Sequence, residues 1–112
     1  MEKKVKVTNN SQSEVWIYHE VYGKAPEKYH FVLKDGKKLK DLKELTESLN
    51  NMSEEVFRHH VNDIRNDFSK WINDVFKEKD LANDIKRFHS KIETQLALYK
   101  HFEKKLLKLA KK

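Results

Sequence analysis

The residues best placed to do chemistry are His59, His60 and Asp63. On a helix His59 and Asp63 are i,i+4 neighbours and His60 and Asp63 are i,i+3 neighbours, a spacing at which a carboxylate can orient an imidazole for general-base work. Metal binding fits less well. Adjacent histidines point about 100° apart around a helix, and no further ligand follows at the spacing of a His-Glu-x-x-His site. The competing reading is structural: His60, beside Val61, is a half-buried, hydrogen-bonded residue that fixes the packing of Asn66-Asp67 and Trp71. His89 and Glu93 form another i,i+4 pair and read as a solvated face, while His19, His30 and His101 are scattered. The chain has no cysteine, which removes thiolate nucleophiles, disulfides and Cys-based metal centres. Its two glycines, Gly23 and Gly36, lie outside any phosphate-binding pattern, and no serine has the flanking glycine of a nucleophile elbow. No catalytic, cofactor-binding or metal-binding residue is therefore assigned, and the expectation is a protein that is not an enzyme, with no cofactor and no small-molecule substrate.

The elements that must position these residues are mainly helical. The chain of 112 residues is one domain's worth of sequence, and two glycines with one proline are too few for the turns of a sandwich or barrel. Val5-Lys6-Val7-Thr8 alternates like a strand, Asn9 to Ser13 reads as a polar turn, and Val15 to Tyr22 is rich in β-branched and aromatic residues, which predicts a second strand. Tyr29 to Leu33 predicts another, closed by a turn at Lys34-Asp35-Gly36. Such a sheet of two or three strands is stable only against helices. Leu39, Leu42, Leu45, Leu49 and Met52 predict a first helix over 38–50. Ser53 before Glu54-Glu55 predicts the cap of a second, whose apolar seam Phe57, Val61, Ile64, Phe68, Trp71 or Ile72, and Val75 is consistent with one helix to about Phe76, with room for a break at Asn62-Asp63 and Asn66-Asp67. That seam, with His60 beside Trp71, is the expected core. The register slips at Lys77 to Asp80, with Asp80 as a new cap. From Leu81 to Lys112 the apolar spacing predicts a single long helix, roughly 45 Å at 1.5 Å per residue, part of which projects from the globule.

The segments Phe31-Val32-Leu33-Lys34-Asp35-Gly36, followed by Leu39, Leu42 and Glu44-Leu45, and then Phe57, His60-Val61, Asn66-Asp67-Phe68, Trp71-Ile72, Asp74-Val75 and Leu81-Ala82 together resemble an uncharacterised family of small archaeal and bacterial domains. The resemblance covers about residues 29–87. It implies a shared fold for the middle of the chain and brings no activity and no catalytic residue.

Charge points to partners. The net charge is +6, and residues 88–112 hold seven basic against two acidic residues, whereas residues 53–87 hold seven against eight. Of the 24 basic residues only Arg58, Arg65 and Arg87 are arginine, which argues against base-specific reading of DNA, where the planar guanidinium fork is favoured. Lysine-rich background composition explains the excess equally well. On a helical wheel Ile92, Leu96, Tyr99, Phe102, Leu106 and Leu109 form an apolar stripe, and Lys91, Lys100, Lys104, Lys105, Lys108, Lys111 and Lys112 supply its basic side. Three partners suit such a helix: a second copy through the stripe, nucleic-acid phosphate through the lysines, or an anionic membrane surface through both. A four-heptad apolar stripe needs burial whatever the lysines do, which ranks the second copy first and the membrane last.

The sequence therefore predicts a mainly α fold, α+β at most, with a small N-terminal β element packed on a helical bundle. Residues 1–87 form its body and 88–112 a basic amphipathic extension. The expected function is a non-enzymatic interaction or scaffolding module, a homo-oligomer with the dimer favoured, and the alternative is sequence-nonspecific nucleic-acid binding. Without an apolar leader or a span-length apolar run, a cytoplasmic protein is expected.

Overall fold

The computed structural model describes residues 10–111, with side chains from residue 14 onward. The expected strand at Val5 to Thr8 and Lys112 lie outside the described residues. Among the described residues the chain forms six α-helices and one two-stranded antiparallel sheet, a mainly α fold with a small β element as the sequence predicts.

The first helix, α1, spans Asn10–Tyr22 where a polar turn and a strand were expected. β-Propensity loses to tertiary packing here, because Tyr18, Val21 and Tyr22 share a helical face that a strand would split. Val21 is buried, the Tyr22 ring meets Phe102 edge-on at 4.8 Å, and the Tyr18 hydroxyl donates to Asp41 Oδ2 at 2.8 Å. Burial, and then the bond to Asp41, push the Tyr18 phenol well above its ordinary pKa. Gly23 ends the helix at φ +83°, and a Cβ there would lie 2.4 Å from the Phe76 ring, so only glycine fits.

A short 3₁₀ turn at Glu27–Tyr29 leads into β1 (Phe31–Val32), which pairs with β2 (Lys38–Leu39) in the register Phe31 to Leu39. The expected Asp35-Gly36 turn joins them, with Gly36 at φ +94° and its N–H donating to Leu33 C=O at 2.8 Å. Because Lys38 and Leu39 belong to the sheet, α2 starts later than the spacing predicts, at Leu42–Asn51, capped by Asp41 accepting from Glu44 N at 2.9 Å. Leu39 still enters the core, but from a strand.

Ser53 caps α3 (Glu54–His60) as expected, accepting from Val56 N at 3.1 Å. The seam does not continue as one helix. Asn62 Oδ1 accepts from Ile64 N and Arg65 N, and Asn66 Oδ1 accepts from Ser69 N, so two asparagines close a turn and start α4 (Asp67–Trp71) afresh. Ile64 consequently sits on the turn at 93% exposure instead of in the core, whereas Phe57, Val61 and Phe68 are fully buried and Val75 is partly so. Trp71 is buried beneath β1, with its Nε1 donating to Tyr29 C=O at 2.7 Å, and Phe31 stands between it and His60. A π turn, Ile72–Phe76, follows and ends on Lys77 at φ +60°.

The expected single helix from Leu81 is two helices. α5 (Lys79–Lys86) starts after Glu78, with no side-chain cap from Asp80, and α6 (Lys91–Ala110) starts at Ser90, whose hydroxyl accepts from Glu93 N at 3.2 Å. α6 does not extend past a core ending near Arg87; it packs on α1, α2 and α5 and contributes buried Thr94, Leu98 and Phe102. Its 20 residues make about 30 Å of a molecule measuring 50 × 25 × 24 Å.

Candidate functional site

The histidine cluster assembles differently from its expected form. His60, at the end of α3 and 5% exposed, places Nδ1 2.9 Å from Asp67 Oδ2, while its Nε2 accepts the Lys34 backbone N–H at 3.0 Å. An accepting Nε2 puts the ring proton on Nδ1, which therefore donates to Asp67. Both ring nitrogens are thus engaged by protein partners, Asp67 at Nδ1 and Lys34 N–H at Nε2. The ring pins β1 to the helices, which is the structural role. Asp67, on α4, supplies the carboxylate in place of Asp63, which lies with His59 on the exposed side of the turn. Among the described residues no group of three His, Cys, Asp or Glu side chains converges as a metal site.

α6 presents three faces. Thr94, Leu98, Phe102 and, in part, Leu109 turn inward. Phe102 and Leu109, expected on the association stripe, thus belong to the core. Leu98, which the wheel leaves out, is fully buried. The inward arc was hidden by its polar members. Lys91 Nζ donates to Met52 C=O at 2.6 Å, Thr94 Oγ1 donates to Ser90 C=O at 2.9 Å, and Lys105 Nζ lies 2.8 Å from Glu78 Oε2. Lys91 and Lys105 therefore anchor the helix and drop out of the lysines available to a phosphate partner. His101, also inward, has Nε2 buried without a hydrogen-bond partner among the described residues. Glu78 Oε2 is 3.8 Å away, too far for a hydrogen bond and already engaged by Lys105. Burial holds the imidazole below its ordinary pKa, and Lys105 and Lys104 act in the same direction against Glu78.

The second face is apolar and exposed. Ile92, Leu96, Tyr99 and Leu106 keep their expected place on it, and Leu107 joins them, each between 46% and 67% accessible. A groove of about 400 Å³ runs beside it, with Tyr22, Lys43 and Glu47 on one wall and Tyr99, Phe102 and Leu106 on the other. The third face carries Lys100, Lys104, Lys108 and Lys111, all exposed. Lys100 and Lys104 also border a groove of about 420 Å³ against α5, where Asp80, Asp84 and Glu93 intersperse negative charge. No helix among the described residues is long and apolar enough to cross a membrane. Comparison with protein-family models, with curated proteins and with solved structures finds no match to this chain, so no residue role is carried over from a relative.

Proposed function

We propose that this chain is a non-enzymatic interaction module that pairs with a second copy of itself through the outer stripe of α6. The observation that carries this is the row of Ile92, Leu96, Tyr99, Leu106 and Leu107, large apolar side chains left open on one side of a helix whose adjoining side is already buried. A second copy suits the row because it is self-complementary. Antiparallel pairing about a two-fold axis at the level of His101 sets Leu96 against Leu106 of the other copy, and Tyr99 against Glu103, so the acidic group within the row meets a phenol. From Ile92 to Leu107 the row is about 23 Å long on a helix about 10 Å across, or about 230 Å² per copy, against about 800 Å² for a standard interface. Pairing is accordingly weak, and the adjoining groove against α1 and α2 adds the remaining contact.

Sedimentation between about 10 μM and about 1 mM tests this. The expected result is a concentration-dependent dimer that Leu96→Asp with Leu106→Asp abolishes while the helical circular dichroism is retained. A full chain that stays monomeric at about 1 mM overturns the proposal.

The second reading is sequence-nonspecific nucleic-acid binding, favoured by the row Lys100, Lys104, Lys108 and Lys111 at near-helical repeat. Four phosphate contacts give log K against log salt a slope of about −3.6 for duplex DNA. Asp80 and Glu93 beside the row weaken its field, Asp84 being paired with Arg87 at 3.0 Å, which ranks this reading second.

A further inference from the structure

The groove of about 400 Å³ between α6 and the first two helices joins three aromatic rings to an excess of negative charge. The Phe102 ring, almost buried, lies at its foot, and the rings of Tyr22 and Tyr99 are inclined to it by 78° and 79°, with centroids 4.8 and 6.5 Å away. Aromatic faces carry the negative lobe of the ring quadrupole, so rings set steeply to one another around a shared space favour a cation within it. The charged groups of the lining have the same preference. Lys43 stands against two carboxylates, Glu47 at 3.9 Å and Glu103, which has no cationic partner among the described residues, so the lining sums to −1. The fold already seats one cation on this cluster: Lys43 Nζ lies 5.7 Å from the Tyr18 centroid and 5.8 Å from that of Tyr22. Lys43 reaches the rings from α2, on the side of Glu47, and leaves Tyr99 and Glu103, one turn apart on α6, with no cation of their own among the described residues.

We propose that this groove binds a quaternary ammonium group, with the rings of Tyr99 and Tyr22 against its methyl groups and the Glu103 carboxylate balancing its charge. Its volume lies in the range of about 300–1,000 Å³ typical of small-ligand clefts. The chemistry of the lining selects the kind of cation. Leu106 and Leu107 lie beside the rings, so a primary ammonium entering there leaves N–H groups unpaired, whereas a quaternary centre has none to satisfy and gives up less hydration. Every group of the site belongs to one copy of the chain, so the site does not depend on pairing through α6. A ligand against Tyr99 competes with a second copy for the same ring.

The test is an NMR titration of the full chain, at about 50 μM to keep it monomeric, with choline and with its neutral isostere 3,3-dimethylbutan-1-ol. Saturable shifts of the Tyr99 and Tyr22 ring protons are expected with choline, and binding of the isostere is expected to be at least about tenfold weaker, because it fills the same space without the charge. Tyr99→Leu keeps an apolar side chain at an exposed position and should weaken choline about tenfold with the helical circular dichroism unchanged. Glu103→Gln should weaken it about threefold, and Lys43→Met, which removes the competing cation, should strengthen it by about as much. The carrier of the group follows from two further probes: N-acetyl-trimethyllysine methylamide binding more tightly than choline identifies a modified peptide, and phosphatidylcholine vesicles that sediment with the chain identify a lipid headgroup. Three results overturn the proposal: no saturable shift at about 10 mM choline; equal affinity for choline and the neutral isostere, which makes the groove merely apolar; or choline affinity unchanged by both Tyr99→Leu and Glu103→Gln, which places the binding elsewhere.

Discussion

Leu96 and Leu98 lie two residues apart on α6, yet one is 53% exposed and the other fully buried, so truncating each to alanine measures the rotational phase of the helix directly. Leu98→Ala removes three buried carbons, worth about 2.4 kcal/mol at about 0.8 kcal/mol each. The space they leave in the core relaxes only partly, and the cavity brings the total to about 3–4 kcal/mol, inside the range of about 2.7–5.0 measured for buried Leu→Ala changes. For a domain of this size that corresponds to a fall of about 10–20 °C in Tm. Leu96→Ala removes the same atoms from the outer stripe and should cost the monomer no more than about 0.5 kcal/mol. Urea unfolding followed by circular dichroism, at a protein concentration low enough to keep the chain monomeric, gives both values with unchanged m. The arrangement of α6 is refuted if Leu96→Ala costs the monomer as much as Leu98→Ala, because the helix would then be turned by roughly 160° from the orientation described.

Gly23→Ala should destabilise by about 2–4 kcal/mol in the same assay, since the new Cβ meets Phe76 at a backbone φ that L residues disfavour. Ile64→Asp should stay within about 0.5 kcal/mol of the parent, because the residue lies on the exposed turn between α3 and α4. His101 gives a pH signature of definite sign. Its folded pKa lies below the unfolded value, so the unfolded chain takes up the proton first and stability falls as pH drops below about 6.5. The groups facing His101 are Glu78 before α5 and Lys105 and Lys104 on its own helix. His101→Gln should flatten the change in urea midpoint between pH 7.5 and 5.5, and an unchanged slope would place its cause elsewhere.

What the sequence made legible was local chemistry. The Ser53 cap, the Asp35-Gly36 turn and the buried Phe57, Val61 and Phe68 follow from residues that act within a turn or two of themselves. The errors arise where distant partners decide. Val15 to Tyr22 has the composition of a strand, and only Asp41 and Phe102, far along the chain, make its helical face the one that is buried. The break between α5 and α6 was written locally, as Ser90 followed three residues later by Glu93, the capping-box spacing. It was masked because the apolar spacing runs across the break almost in phase.

α6 shows why the stripe and the core were confused. The helix has two apolar arcs side by side, one through Leu98, Phe102 and Leu109 and one through Ile92, Leu96, Tyr99 and Leu106. Periodicity counts apolar residues, and the second arc has more of them. The inner arc is interrupted by Lys91, Thr94 and Lys105, which are tolerated because each finds a specific acceptor: Met52 C=O, Ser90 C=O and the Glu78 carboxylate. Hydropathy alone cannot register a half-buried cation whose partner lies in another element. The same fact links the two surface readings. Each lysine spent on anchoring α6 shifts the weight of function from the basic face toward the apolar one, since Lys91 and Lys105 no longer face a phosphate partner while Ile92, Leu96, Tyr99, Leu106 and Leu107 remain open to a second copy.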